Sequence, residues 1–344
     1  MRVSSRAIKI GAMLMATLLS QGARAQDQAV ADFYKGKTID VYTGYTVGGA
    51  YDVYARLVSR FIGKYIPGNP TIVPRNMEGA GSLRLANWLY QIAPKDGTAI
   101  GTFGRGAAFD PLLGVQGAAF DATKYNWIGS ANDEVSVCVA WHTSGITTID
   151  EVMTKELIVG GTGGSADTDQ FPKIMNGVIG TKMKLIVGYP GGNDVNLAMQ
   201  RGEVRGRCGW SWSSVKATQM QWVRDKTIAV LVQLALAKHP DLPDVPLVMD
   251  LAKTDEQKQI LKTIFARQVM GRPYAAPPGV PKARVEALRK AFDETMKDKE
   301  FLAEADKIGI EITPVSGEKI QDLVVEVYKV TTPAIAKKIA DMLK

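Results

Sequence analysis

The sequence predicts an α/β protein of two lobes, each a mainly parallel sheet flanked by helices. Three observations carry this prediction. Short apolar strands alternate with amphipathic helical stretches along most of the 344 residues. Glycine-rich loops repeatedly close a strand and open a helix. These loops fall in two groups, one per α/β body, which is the plan of a cleft between lobes. The expected division is 26–126 plus 270–344 for lobe 1 and 127–269 for lobe 2. In open α/β sheets ligands bind beyond the carboxyl ends of the strands, where such loops lie.

The chain opens with a processing signal. Arg2, Arg6 and Lys9 are basic, an apolar run covers 10–19, and Ala23-Arg24-Ala25 is a small-x-small cleavage site. Residues 1–25 therefore read as a signal peptide, too short an apolar run to span a bilayer, with the exported chain starting at Gln26. Apolar content of 46% and charged content of 22% are those of a globular protein. Four of the seven net positive charges belong to the leader (Arg2, Arg6, Lys9 and Arg24), and the remaining +3 is too mild for a nucleic-acid partner. In an oxidising compartment the two cysteines, Cys138 and Cys208, read as a disulfide, with two buried free thiols as the alternative. His142 and His239 are scattered and give no metal-ligand spacing.

A strand over 38–41 runs into Tyr42-Thr43-Gly44-Tyr45-Thr46-Val47-Gly48-Gly49-Ala50-Tyr51-Asp52. Adjacent glycines allow a tight turn with bare N–H groups, and the following helix adds unpaired donors and the positive end of its dipole. That makes a seat for a carboxylate or phosphate without any charged side chain, or else a plain strand-to-helix turn. The helix spans 52–65, with Val53, Leu57, Phe61 and Tyr65 every four residues. Asp52 is placed as its N-cap, with ligand contact as a second role. A strand over 71–74, a loop over 75–82 carrying Gly79, Ala80, Gly81 and Ser82, and a helix over 83–93 repeat the design. Leu85, Trp88, Leu89 and Ile92 form the apolar side of that helix. A third strand, 98–103, ends at Gly104-Arg105-Gly106. Arg105 suits bidentate carboxylate recognition, or is a solvated loop charge.

In the second half, 127–130 and 135–141 read as strands and 149–153 as a short helix. A strand over 157–159 enters a loop with Thr162, Gly163, Gly164 and Ser165 before a helix from 168. A strand over 185–187 leads through Gly188-Tyr189-Pro190-Gly191-Gly192 into a helix over 195–201. On a further strand, Trp210 and Trp212 alternate with Ser211 and Ser213, the indoles either packing in the core or walling a ligand. The hydroxyls of Tyr45, Tyr51 and Tyr189 are further candidate donors. The apolar run 228–236 reads as a central strand. A helix follows over 255–265, then a strand over 265–270 back toward the first body. The end is helical over 282–297, 299–308 and 318–343, broken before Pro333, with a short strand over 310–313.

No G-x-G-x-x-G, P-loop, G-x-S-x-G elbow or Cys–His pair is present, so no catalytic set and no cofactor is expected. The ordered motifs resemble those of the periplasmic solute-binding proteins of tripartite tricarboxylate transporters, the Bug or tricarboxylate-receptor family. That family's Phe-Pro-Pro-Gly-Gly-x-x-Asp stands here as Tyr45-Thr46-Val47-Gly48-Gly49-Ala50-Tyr51-Asp52, with both prolines replaced. Its Asn-Arg-Pro-Gly-Ala-Gly-Gly stands as Asn76-Met77-Glu78-Gly79-Ala80-Gly81-Ser82, and Pro-Asp-Gly as Lys95-Asp96-Gly97. Thr162-Gly163-Gly164-Ser165, Tyr189-Pro190-Gly191, Leu242-Pro243-Asp244-Val245-Pro246 and Ala276-Pro277-Pro278-Gly279-Val280-Pro281 complete the likeness over essentially the whole exported chain.

The resemblance implies a periplasmic-binding-protein (Venus flytrap) fold and a monomeric receptor. It would capture a small organic carboxylate (di-, tri- or aromatic) and deliver it to membrane permease subunits. It implies that backbone N–H groups of the first two loops, with ordered water, hold the ligand carboxylate; Glu78 is expected to point away, since facing inward it would repel that carboxylate. A sensory role toward a membrane kinase and a periplasmic enzyme stay open as rivals.

Overall fold

The computed structural model describes residues 27–344; the expected signal peptide lies outside them. Eleven strands among the described residues form two sheets. Six strands build the first: β1 (Thr38–Thr43), β2 (Thr71–Asn76), β3 (Ala99–Thr102), β4 (Asn126–Ser130), β10 (Pro273–Ala276) and β11 (Val315–Ser316), in the order β11-β4-β10-β3-β1-β2. Five build the second: β5 (Ser136–Trp141), β6 (Leu157–Gly160), β7 (Met183–Ile186), β8 (Gly206–Ser211) and β9 (Ile228–Leu234), in the order β7-β6-β8-β5-β9. Each sheet is mixed. β1 runs parallel to β2 and β3 while β10 runs antiparallel to β3 and β4; β6 runs parallel to β7 and β8 while β5 runs antiparallel to β8 and β9.

The local chemistry explains the elements. β5 (SVCVAW) is buried throughout, as an interior strand covered on both faces must be. The helix Ala50–Phe61 buries Tyr54, Leu57, Val58 and Phe61 on one side. Asp298 caps the helix Lys299–Lys307 by accepting from the N–H groups of Glu300 and Phe301. Burial alone would raise its pKa, but Lys64, Tyr65 and those two N–H groups hold the carboxyl down near about 2. Cys138 on β5 and Cys208 on the neighbouring β8 are joined by a disulfide. One apolar cluster passes through both units, including Phe103, Phe109, Phe171 and Phe265.

Several elements differ from expectation. β4 sits in the six-stranded sheet, so the chain first crosses to the other unit over residues 131–135, later than residue 127. The C-terminal helix Pro333–Leu343 lies on helices of the five-stranded sheet: Lys173 donates to the carbonyl of Leu343 at 2.6 Å, and Met342 covers Gly177. β9 is an edge strand; it reads as apolar because the chain from Leu242 to Leu251 covers its open side. Residues 265–270 form a short 3-10 turn (Ala266–Met270) that continues the preceding helix. Residues 310–313 are not a strand, and their place is taken by β11. β8 ends at Ser211, so Trp212 and Ser213 begin a helix and do not continue an alternation. Ile92 lies past the helix Leu83–Gln91 and is 70% exposed.

Candidate functional site

The carboxyl ends of β1 and β3 face those of β6, β7 and β8 across a cleft that encloses a cavity of about 80 Å³. Lobe 1 lines it with Tyr45, Thr46, Gly49, Tyr51, Gly104 and Arg105, and lobe 2 with Thr162, Asp167, Gly192, Asn193, Arg207 and Trp210. Three helices begin at the cavity: Ala50–Phe61, Asp167–Ile174 and Gly192–Arg201. The first N–H groups of a helix have no partner within it. Among the described residues, no side chain or loop carbonyl takes those of Ala50, Tyr51, Gly192 or Asn193. Both lobes thus aim backbone donors and positive helix ends at one space.

The loops that close the cleft meet backbone to backbone. A Cβ on Gly163 would lie 2.5 Å from the Gly81 nitrogen, and one on Gly81 would lie 2.5 Å from the Ala166 nitrogen. Gly79, Ala80, Gly81 and Ser82 hold φ of 140, 50, 67 and 80°, four successive residues in a conformation that side chains disfavour. Ser82 is fully buried, and its hydroxyl accepts from the Gly104 N–H at 2.7 Å. Asn193 donates to the Gly48 carbonyl from the other lobe at 3.3 Å.

Charges beneath this contact are mostly paired. Arg105, 2% exposed, reaches from lobe 1 to Asp167 at 2.7 Å and donates to Ser136, Ser211 and the Gly271 carbonyl. Burial alone would depress its pKa, but Asp167 and the other nearby groups reverse the shift. Arg267 lies 3.5 Å from the same Asp167 and donates to Gln170, which in turn donates to Asp110. Burial pushes the Asp110 carboxyl up to about 6, with Ser165, Arg267 and Gln170 offsetting only part of the shift. At the crossings between sheets, Arg272 sits 3.3 Å from the buried Glu134 and donates to Ser213 and Ser214. Arg207 differs: it is partly buried on the cavity wall, stacks over the Trp210 ring at 4.5 Å, and donates to Asn196 and the Gly192 carbonyl.

Of the residues proposed from sequence, Tyr45, Thr46, Gly49, Gly104, Arg105, Thr162 and Trp210 lie on the cavity. Tyr45 stacks on Tyr51 at 4.7 Å and donates to the Gly81 carbonyl. Trp210 also packs in the lobe 2 core beside Trp222, whereas Trp212 does so without reaching the cavity. Ala80, Gly81 and Gly163 lie at the contact between loops; neither they nor Gly79, Ser82, the exposed Gly164 and the buried Ser165 line the cavity wall. Val47 is 68% exposed, Gly48 is exposed, and Tyr189 turns its hydroxyl toward Glu203; none of them lines the cavity.

Asp52 is not the N-cap, which is Gly49. It sits in the first turn, buried, where it accepts from the Gly48 N–H and pairs with Arg56 and Asn76. Burial opposes its ionisation, and those bonds hold its pKa below the usual carboxylate range. Glu78 is exposed and away from the cavity. Sequence reasoning missed Arg207, Asp167 and Arg272. The available signal was a lone arginine between Gly206 and Cys208 in an otherwise apolar strand, since a charge is rarely placed there without a task.

Two α/β units joined by short crossing segments, with a donor-lined cleft between them, define the fold of periplasmic binding proteins. Solved structures with this fold confirm the assignment. The periplasmic binding protein BugD is 18% identical, aligned over 90% of this chain and 98% of its own, with a TM-score of 0.71. MatC of Rhodopseudomonas palustris with bound malate is 17% identical over 90% and 99%, with a TM-score of 0.68. The R. palustris protein Rpa4515 with adipate is 15% identical over 89% and 97%, also at 0.68. No family model and no curated protein matches the sequence.

Proposed function

We propose that this chain is an exported receptor that captures a small organic carboxylate between its lobes and delivers it to a membrane permease. The observation that carries this reading is the convergence of helix starts from both lobes, with free N–H groups, on one enclosed cavity. The malate and adipate in two proteins of the same fold support the ligand class. The leader-like residues 1–25 and the periplasmic neighbours support export to the periplasm. Among the described residues Asp167 is the one carboxylate on the cavity wall, it is ion-paired, and no histidine or cysteine joins it there; this favours binding over acid–base catalysis. Closure removes water from the anion and strengthens each hydrogen bond to it.

A thermal-shift screen of the exported chain against mono-, di- and tricarboxylates tests the reading. Ligand at 100 times Kd raises stability by about 2.7 kcal/mol. A flat response to every carboxylate counts against it. Uptake and induction assays in a deletion strain separate transport from sensing.

A further inference from the structure

The four guanidiniums around the cleft are not equivalent. Arg105 and Arg267 share Asp167, and Arg272 has Glu134. Arg207 has no carboxylate within ion-pair distance among the described residues. Its Nη1 is committed to the Gly192 carbonyl at 3.1 Å and to Asn196 at 3.0 Å. Its Nε is buried without an acceptor, and among the described residues both guanidinium hydrogen bonds come from Nη1 and none from Nη2. Nε and Nη2 form the edge of a guanidinium that receives two carboxylate oxygens side by side. Trp210 beneath the guanidinium fixes its plane, at 4.5 Å. Desolvation without a compensating acid pushes the Arg207 pKa down, to about 9, and leaves it a cation at neutral pH.

Beyond Arg207, the positive charge open to a ligand carboxylate is the partial charge of the helix starts at Ala50 and Gly192. The helix start at Asp167 already carries an anion of the protein's own, and that carboxylate faces the same cavity. A cavity of about 80 Å³ also brings any second anion close to it. The uncharged surfaces on offer are the rings of Tyr45, Tyr51 and Trp210.

We propose that Arg207 is the side-chain anchor for a single ligand carboxylate, and that the site selects a compact monocarboxylate whose uncharged remainder lies against Trp210, Tyr45 and Tyr51. This rests on the carboxylate-receptor reading and narrows it. Arg207, the one cavity-lining guanidinium without a carboxylate partner among the described residues, answers one ligand charge, and the aromatic walls answer the rest of the molecule.

Isothermal titration of the exported chain with propionate, lactate, benzoate, succinate and citrate tests the assignment. Monocarboxylates are expected to bind at least ~10-fold tighter than succinate or citrate. Arg207→Gln is expected to weaken them by ~100-fold and Arg207→Lys by ~10-fold, since a lysine keeps the charge and loses the paired geometry. Melting of each variant without ligand shows that it is folded. Tighter binding of succinate or citrate, or Arg207→Gln within ~3-fold of the parent for every ligand, overturns the assignment while leaving a carboxylate receptor standing. Silence toward all five removes both.

Discussion

Arg105 and Arg207 stand on opposite walls of one cleft and show what separates a structural charge from a binding charge. Arg105 spends its donors on the protein, across the cleft, on Asp167, two serine hydroxyls and a carbonyl. Arg207 keeps part of its guanidinium without an acceptor, on a wall where an indole stacks against it. By residue type and loop setting Arg105 was the natural ligand anchor. Its partners make it the bolt between lobes. A charge already satisfied by the fold has little left to offer a ligand, whereas an unsatisfied one is held in waiting by the surrounding packing.

The contrast breaks most visibly at Arg105. Arg105→Ala leaves the largely desolvated Asp167 carboxylate with less compensation and is expected to cost about 3–5 kcal/mol of unfolding free energy. Denaturant melts of ligand-free protein measure it, and a loss under about 1 kcal/mol would mean that the bolt is not holding the lobes. Gly163→Ala attacks the same closure through the backbone. At φ of 135° and 2.5 Å from the Gly81 nitrogen its methyl group has no room. Ligand affinity should fall by about 100-fold, the equivalent of roughly 3 kcal/mol, with scattering in solution reporting a more open particle. An unchanged particle with unchanged affinity would show that the loops can part without cost.

Asp110 tests the paired side by pH. Its folded pKa, about 6, lies above the ordinary aspartate value, so the folded state binds that proton more tightly than the unfolded chain does. The stabilisation this gives is complete below about pH 4 and is lost as pH rises through about 6. Asp110→Asn removes that dependence, so its stability relative to the parent should improve between pH 4 and 7 by on the order of 2 kcal/mol. Parallel melting curves for the two proteins across that range would refute the assignment. The smallest effect belongs to Arg207→Ala in the absence of ligand, expected within about 1 kcal/mol of the parent and of either sign, because relief of an uncompensated desolvated charge offsets the lost hydrogen bonds to Gly192 and Asn196 and the stacking on Trp210. A loss as large as that of Arg105→Ala would erase the distinction between the two arginines.

The glycine loops and the carboxyl edges were legible because strand, loop and helix are local features and their repetition is visible in order. So were the two-lobed plan and the wall residues Tyr45, Thr46, Thr162 and Trp210. What the residues could not reveal depends on pairing between distant segments. Arg105 meets Asp167 only after two sheets are built and brought together. Arg207 sits in the middle of a strand, without a motif, and gains its importance from having no acid opposite. The apolar run of β9 was placed at a sheet centre because covering by a distant loop looks the same in sequence as covering by two helices. Trp212 was read one residue past the end of its strand, where the period of two gives way to a helix.

The Arg105–Asp167 contact has a kinetic meaning. On the proposed reading, a ligand behind it would leave only when the lobes part, so residence time would be set by the frequency of opening and not by the ligand's own contacts alone. Chemically different occupants would then share similar dissociation rates and differ mainly in how fast they are captured. Because Arg105 is buried and Asp167 is mostly shielded, added salt screens the pair weakly, and dissociation should slow or quicken little between low and physiological ionic strength.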